Sequence, residues 1–145
     1  MPNEEILKLD NQLCFPLYAS SRLVTRMYQP LLEKLDITYP QYLILLVLWE
    51  KDEVTIKEIG RKLLLETNTL TPLLKRMESK GFLQRVRSKE DERKVFIKLT
   101  DFGRSRKKEA LCIPEQLLKG ISEKYSVDKI ISLRNDLQEL ISLLS

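Results

Sequence analysis

The stretch from Leu65 to Thr100, LETNTLTPLLKRMESKGFLQRVRSKEDERKVFIKLT, constrains the fold more than any other part of this chain. Thr67, Asn68 and Thr69 are a cluster of natural helix N-cap residues. Pro72 then falls within or just past the first predicted turn, where a missing N–H costs least. Leu70, Leu73, Leu74 and Met77 recur at helical spacing and turn Thr69, Thr71, Lys75, Arg76 and Lys80 outward. Gly81 is typical of the position just past a helix end. FLQRVR (82–87) and KVFIKL (94–99) alternate with a period near two, the strand signature, on either side of the charged loop SKEDER. A helix carrying Lys75 and Arg76 suits a DNA major groove, and a narrow basic ribbon can reach the minor groove.

Charge supports that reading through its distribution rather than its total. The net charge is only +4, yet Lys75 to Lys108 holds 13 Lys or Arg against 5 Asp or Glu, leaving the remainder acidic. Such asymmetry suggests an anionic partner docking on one part of the surface. A solvated lysine-rich face is the bland alternative, and the coincidence of charge with a helix–ribbon pattern argues against it.

The residue types present also exclude chemistry. With no histidine in the chain, a Ser-His-Asp or Cys-His enzyme is ruled out within one subunit, and a structural zinc site lacks its usual ligands. Neither a metal nor a cofactor is called for. Cys14 and Cys112 lie nearly a hundred residues apart. The MPNEEILKLD start has no signal pattern, and the apolar run Tyr42–Trp49 is far short of a membrane span, so the expected location is the cytoplasm. Its reducing conditions argue against a permanent disulfide.

Elsewhere the chain reads as helices. Leu9 to Tyr28 has helical spacing with Asp10 or Asn3 as its cap, and would place Asp10, Cys14 and Tyr18 on one face. Pro16 would lie inside that helix and bend it beside the thiol; Pro30 and LDITYP punctuate the chain. Pro40 sits in the first turn of a second helix running through Trp49. TIKEIGRKLLLE follows, with Ile56, Ile59, Leu63 and Leu64 as its apolar stripe. After the ribbon, Thr100 or Asp101 caps a basic helix reaching about Cys112; Pro114 opens the last region, which ends in the amphipathic IISLRNDLQELISLL. The fold class is mainly α with a small β-wing: a winged helix-turn-helix over 54–100 within a single domain, 1–145. Helices in 1–35 and 114–145 flank it, with apolar stripes suited to dimerisation. Helix-turn-helix proteins commonly pair so that two reading heads match two half-sites.

The residues LTPLLKRMESKGFLQRVRSKEDERKVFIKLTDFG, with the Asp91-x-Arg93 wing signature, resemble the MarR family of winged-helix repressors. LDNQLCFPLYASSR and TYPQYLILLVLWE resemble more narrowly the organic hydroperoxide-sensing OhrR branch and its staphylococcal thiol-sensing relatives. The resemblance implies that Cys14 is the peroxide-reactive thiol and that Tyr28 and Tyr39 of a second subunit hydrogen-bond it. It implies a recognition helix over 68–80, with Thr69, Thr71, Pro72, Lys75 and Arg76 facing the major groove or its phosphates. Arg93 would enter the minor groove, Arg87 would add a basic contact, and Asp91 would orient a side chain such as Arg76. Where the family often carries Asp-Ser-Gly or Asp-Thr-Gly, this chain has Glu66-Thr67-Asn68, with Asn68 able to take glycine's left-handed backbone. Cys112 stands as either a resolving thiol or a bystander.

The function implied is transcriptional repression. A homodimer on a near-palindromic double-stranded operator would be released when an organic hydroperoxide oxidises Cys14. Alternatives sharing these motifs are a repressor gated by a phenolic ligand and a redox-responsive global regulator. A thiol peroxidase is the enzymatic rival, and the missing histidine weighs against it.

Overall fold

A computed structural model describes residues 3–145, and by internal packing the chain divides into two units, 1–109 and 110–145. The first unit opens with two short 3-10 turns, Glu4–Leu7 and Leu9–Asn11. Asn3 caps the first by accepting the N–H of Glu5 at 3.1 Å. The long helix α1 (Cys14–Glu33) follows, so it begins at Cys14 rather than at Leu9. Asp10 lies outside it and does not share a helical face with Cys14 and Tyr18. Pro16, expected to bend the helix, is its third residue, where no intrahelical donor is needed. Pro30, expected to end it, is instead inside. The one bond it removes belongs to an exposed stretch where water can serve the carbonyl.

Helix α2 (Tyr39–Glu50) starts as expected. Thr38 and Gln41 form a reciprocal capping box and Pro40 occupies the first turn. Apolar residues cover this helix nearly all round, and Tyr42, Ile44, Leu45, Val47 and Leu48 are buried at the centre of the unit. Strand β1 (Val54–Thr55) was not legible in the sequence: two residues carry no periodicity, and pairing alone defines them. Thr55 caps α3 (Ile56–Leu63) by accepting the N–H of Glu58 at 3.1 Å. Of the stripe expected on α3, Ile59 is fully buried, whereas Leu64 lies past the helix end in the left-handed region (φ 55°) and is exposed.

Helix α4 (Thr67–Ser79) buries Leu70, Leu74 and Met77. Its N-cap is Glu66 and not one of the Thr67–Thr69 cluster, and Pro72 is its sixth residue. Gly81 (φ 85°) closes the helix with paired bonds, Gly81 N–H to Glu78 and Phe82 N–H to Met77, both at 3.0 Å. Strands β2 (Leu83–Arg87) and β3 (Val95–Leu99) form the expected antiparallel ribbon. β1 completes a sheet of order β1-β3-β2, with Val54 opposite Ile97 and Arg85 opposite the same residue on the other side. Helix α5 (Asp101–Ala110) is capped by Thr100, whose hydroxyl accepts the N–H of Gly103.

Cys112 therefore does not end the basic helix; it begins α6 (Cys112–Ser122). In the second unit α6 is followed by α7 (Val127–Leu144), capped by Ser126. No residue of α7 is buried, and Ile131, Leu133, Ile141, Leu143 and Leu144 are exposed apolar side chains. No helix among the described residues is long and apolar enough to cross a membrane.

Candidate nucleic-acid interface and thiol site

Two tight turns fix the placement of α4. At its start, the N–H of Leu65 donates to the Gly60 carbonyl, and a side chain at Gly60 would bring its Cβ within 2.6 Å of the Leu65 carbonyl oxygen. The left-handed residue of this turn is Leu64; Asn68, expected to take that role, is helical. At the other end, Lys80 donates to the Asp36 carbonyl at 2.8 Å.

Because Leu70, Leu74 and Met77 point into the core, helical geometry sends Thr69, Pro72, Lys75 and Arg76 to the opposite, exposed face. Thr71 is only part-exposed, at the edge of that face, and its hydroxyl donates to the Thr67 carbonyl at 2.8 Å. Asn68 also projects from the exposed face. The same periodicity that named its neighbours could have named it, had the cap not been assigned there.

The wing tip is organised by two side chains. The Ser88 hydroxyl accepts the N–H groups of Glu90 and Asp91, each at 3.2 Å. The Asp91 carboxylate accepts the N–H of Arg93 at 3.0 Å, and its carbonyl accepts that of Lys94. Asp91 thus shapes the turn that presents Arg93, and no ion pair joins it to Arg76 among the described residues. Lys75, Arg76, Arg87 and Arg93 are exposed and hold no carboxylate partner among the described residues. Cations left unpaired on a convex helix and ribbon are poised for phosphate.

Cys14 is exposed as the first residue of α1, where unpaired backbone N–H groups give the helix its positive end. Exposed Leu13, Phe15 and Tyr18 surround it in sequence, with the Arg22 guanidinium over the Tyr18 ring at 5.3 Å. Tyr28 and Tyr39 come together elsewhere. Their ring centroids lie 5.0 Å apart, and Tyr42, which sequence reasoning passed over, completes a cluster at 5.8 and 6.2 Å. Burial first, then the neighbouring phenols, pushes the Tyr28 hydroxyl up to about 12; burial likewise raises Tyr39 and Tyr42. All three remain protonated donors at neutral pH. Cys14 and Tyr28 are fourteen residues apart on α1, roughly 21 Å along its axis at 1.5 Å per residue, so one chain does not join them. Cys112 is exposed at the start of α6 in the second unit.

Known proteins share this sequence pattern and fold. The family described as transcriptional regulator SarA/Rot matches residues 26–110. An organic hydroperoxide resistance transcriptional regulator of Bacillus subtilis (strain 168) is 52% identical over 138 residues, covering 95% of this chain and 92% of that protein. The structure of reduced AbfR bound to DNA superposes with a TM-score of 0.75 at 39% identity, over 98% of this chain and 97% of that one. Disulfide-formed AbfR superposes with a TM-score of 0.69 at 38% identity, over 97% and 94%; the protein is from Staphylococcus epidermidis. Matched along nearly its whole length by transcriptional regulators, this chain belongs to the MarR/SarA family of transcriptional regulators.

Proposed function

We propose that this protein is a cytoplasmic, homodimeric repressor whose grip on a near-palindromic operator is released when an organic hydroperoxide oxidises Cys14. The observation that carries the reading is the separation within one chain of an exposed helix-terminal thiol from a cluster of protonated tyrosines. A second copy supplies what one copy lacks, and the exposed apolar side chains of α7 offer a surface for it. Thr69, Thr71, Pro72, Lys75 and Arg76 would meet the major groove, while Arg87 and Arg93, with Asp91 shaping the turn, would reach backbone and minor groove. The similarity to a hydroperoxide-resistance regulator, and to a protein seen both reduced on DNA and in a disulfide form, supports the sensing role.

In the chemistry proposed, the Cys14 sulfur attacks the terminal oxygen of the hydroperoxide. The O–O bond breaks, an alcohol leaves, and sulfenic acid remains. A second thiol, Cys112 or a small cellular thiol, then attacks that sulfur and expels water, forming a disulfide. Loss of the tyrosine hydrogen bonds would shift α1 and alter the spacing of the two reading heads.

The test uses the full-length dimer and a duplex selected by the reduced protein from a random pool. Cumene hydroperoxide should release the unmodified protein and leave Cys14→Ser bound; release of Cys14→Ser would overturn the sensor assignment. Non-reducing mass analysis distinguishes a Cys14–Cys112 crosslink from a mixed disulfide at Cys14 alone.

A second reading has one observation in its favour. A groove of about 580 Å³ along α1 and the start of α2 is lined by Ser21, Arg22, Thr25, Arg26 and Tyr39, among others, and would suit a phenolic acid. Release of Cys14→Ser from DNA by salicylate would favour it.

A further inference from the structure

The helix and the wing that carry the proposed DNA contacts are joined by a single carboxylate. Glu78, on the last turn of α4, accepts the backbone N–H of Arg85 on β2 at 2.8 Å through one oxygen. Its other oxygen accepts Nε and Nη2 of the same arginine, each at 3.2 Å. Two guanidinium N–H groups on one carboxylate oxygen, with the strand backbone N–H on the other, fix both direction and distance. Both side chains are partly buried. The Arg85 backbone N–H first, then its guanidinium, holds the Glu78 carboxyl below its ordinary range.

The segment between them is short, with Phe82 and Leu83 buried in the core. It contains Gly81 in the left-handed region, with nothing within 4 Å of where a side chain would be. Backbone bonds from the Phe82 N–H to Met77 and from the Thr100 N–H to Phe82, with the Thr100 hydroxyl donating to the Gly81 and Phe82 carbonyls, hold this segment itself, and the Glu78 clamp ties α4 to β2 beyond it. Arg85 and Arg87 lie two residues apart on β2 and share one face of the strand. Arg85 is spent on Glu78, whereas Arg87, two pairs nearer the wing tip, is exposed and unpaired.

We infer that Glu78 and Arg85 are positioning residues for DNA binding: their clamp sets the angle between α4 and the wing, so that major- and minor-groove contacts are presented as one rigid unit. The inference rests on the DNA-contact assignments proposed above. It makes a prediction opposite to plain electrostatics. Removing a carboxylate beside a polyanion should tighten binding, whereas losing the clamp should weaken it by uncoupling Arg93.

The experiment is a double-mutant cycle on the full-length dimer, using the selected duplex and fluorescence anisotropy at fixed salt. Arg93→Ala alone is expected to weaken binding about tenfold, the size expected of one well-placed arginine on DNA. Glu78→Ala should weaken it by about five- to tenfold, and in that background Arg93→Ala should cost less than about twofold. Glu78→Gln, whose amide oxygen still accepts the Arg85 backbone N–H, should recover most of the affinity. Equal or tighter binding by Glu78→Ala, with the Arg93 penalty unchanged, overturns the clamp while leaving the contact assignments intact. No effect of Arg93→Ala or Lys75→Ala in the unmodified protein overturns the assignments and the clamp with them. Should Glu78→Ala fail to fold, Arg85→Met provides the same cycle, and an undiminished Arg93 penalty there overturns the inference.

Discussion

Lys80, the residue that ends α4, is tied to Asp36 in the left-handed turn after α1: Nζ donates to the Asp36 carbonyl at 2.8 Å and lies 3.4 Å from its carboxylate. A cation at a helix C-terminus is favourable in itself, and here it also joins α4 to the end of the helix that begins at Cys14. The carboxylate is well exposed, so screening leaves the carbonyl bond as the larger part. Lys80→Ala is expected to cost about 1 kcal/mol, and Asp36→Asn, which keeps the carbonyl, less than about half of that. Thermal unfolding at equal protein concentration ranks the two; equal losses would show that the ion pair dominates.

Close packing at Gly103 leaves no room for a methyl group. A Cβ there would stand 2.0 Å from the Phe82 carbonyl oxygen, and the Gly103 carbonyl also accepts the Trp49 indole N–H at 3.0 Å. Gly103→Ala should therefore lose at least about 3 kcal/mol, since backbone rather than a flexible side chain must move. Gly81→Ala meets only open space and bears the left-handed backbone cost alone, about 1–2 kcal/mol. Urea denaturation of both variants should give that order.

The Tyr28 hydroxyl has a pH signature. Its folded value is pushed from 10.0 up to about 12, so the folded protein holds the phenolic proton more tightly than the unfolded chain does. The resulting stability is fully present below pH 10 and is lost as pH rises from 10 towards 12. Denaturation midpoints at pH 9 and pH 11 should fall less for Tyr28→Phe than for the unmodified protein. An identical fall would remove Tyr28 as the source.

Salt dependence separates the wing's arginines from the clamp that supports them. Arg87→Ala and Arg93→Ala should each flatten the plot of log affinity against log salt by about 0.9 for every phosphate no longer neutralised. Arg85→Ala, which breaks the clamp and uncouples Arg93, should flatten the slope by no more than Arg93→Ala does, and combining the two should add nothing, because Arg85 is itself paired with Glu78. Anisotropy titrations across a salt series provide the comparison. A further flattening on adding Arg85→Ala to Arg93→Ala would put Arg85 itself on the phosphates.

Much of the reading head was legible because it is written in neighbours. Leu70, Leu74 and Met77 repeat within one helix, Gly81 ends it by a backbone preference of its own, and the two wing strands alternate over five residues each. Those signals act over a few residues, so periodicity and turn chemistry suffice to find them. Helix ends were less legible. Pro16 reads as a bend and Pro30 as a stop, yet the first occupies a first turn and the second a solvent-facing interior position.

What the sequence by itself determined is the order of elements, the outward face of α4 with Lys75 and Arg76, and the basic ribbon that follows. Tertiary structure alone decided the rest. β1 exists only through pairing with β3 some forty residues on; Tyr39 and Tyr42 meet Tyr28 only when α2 packs on α1; Lys80 finds Asp36 across 44 residues. The physical reason is that a helix or strand face is chosen by local repetition, whereas hydrogen bonds and ring contacts between distant segments depend on a core that no local window contains.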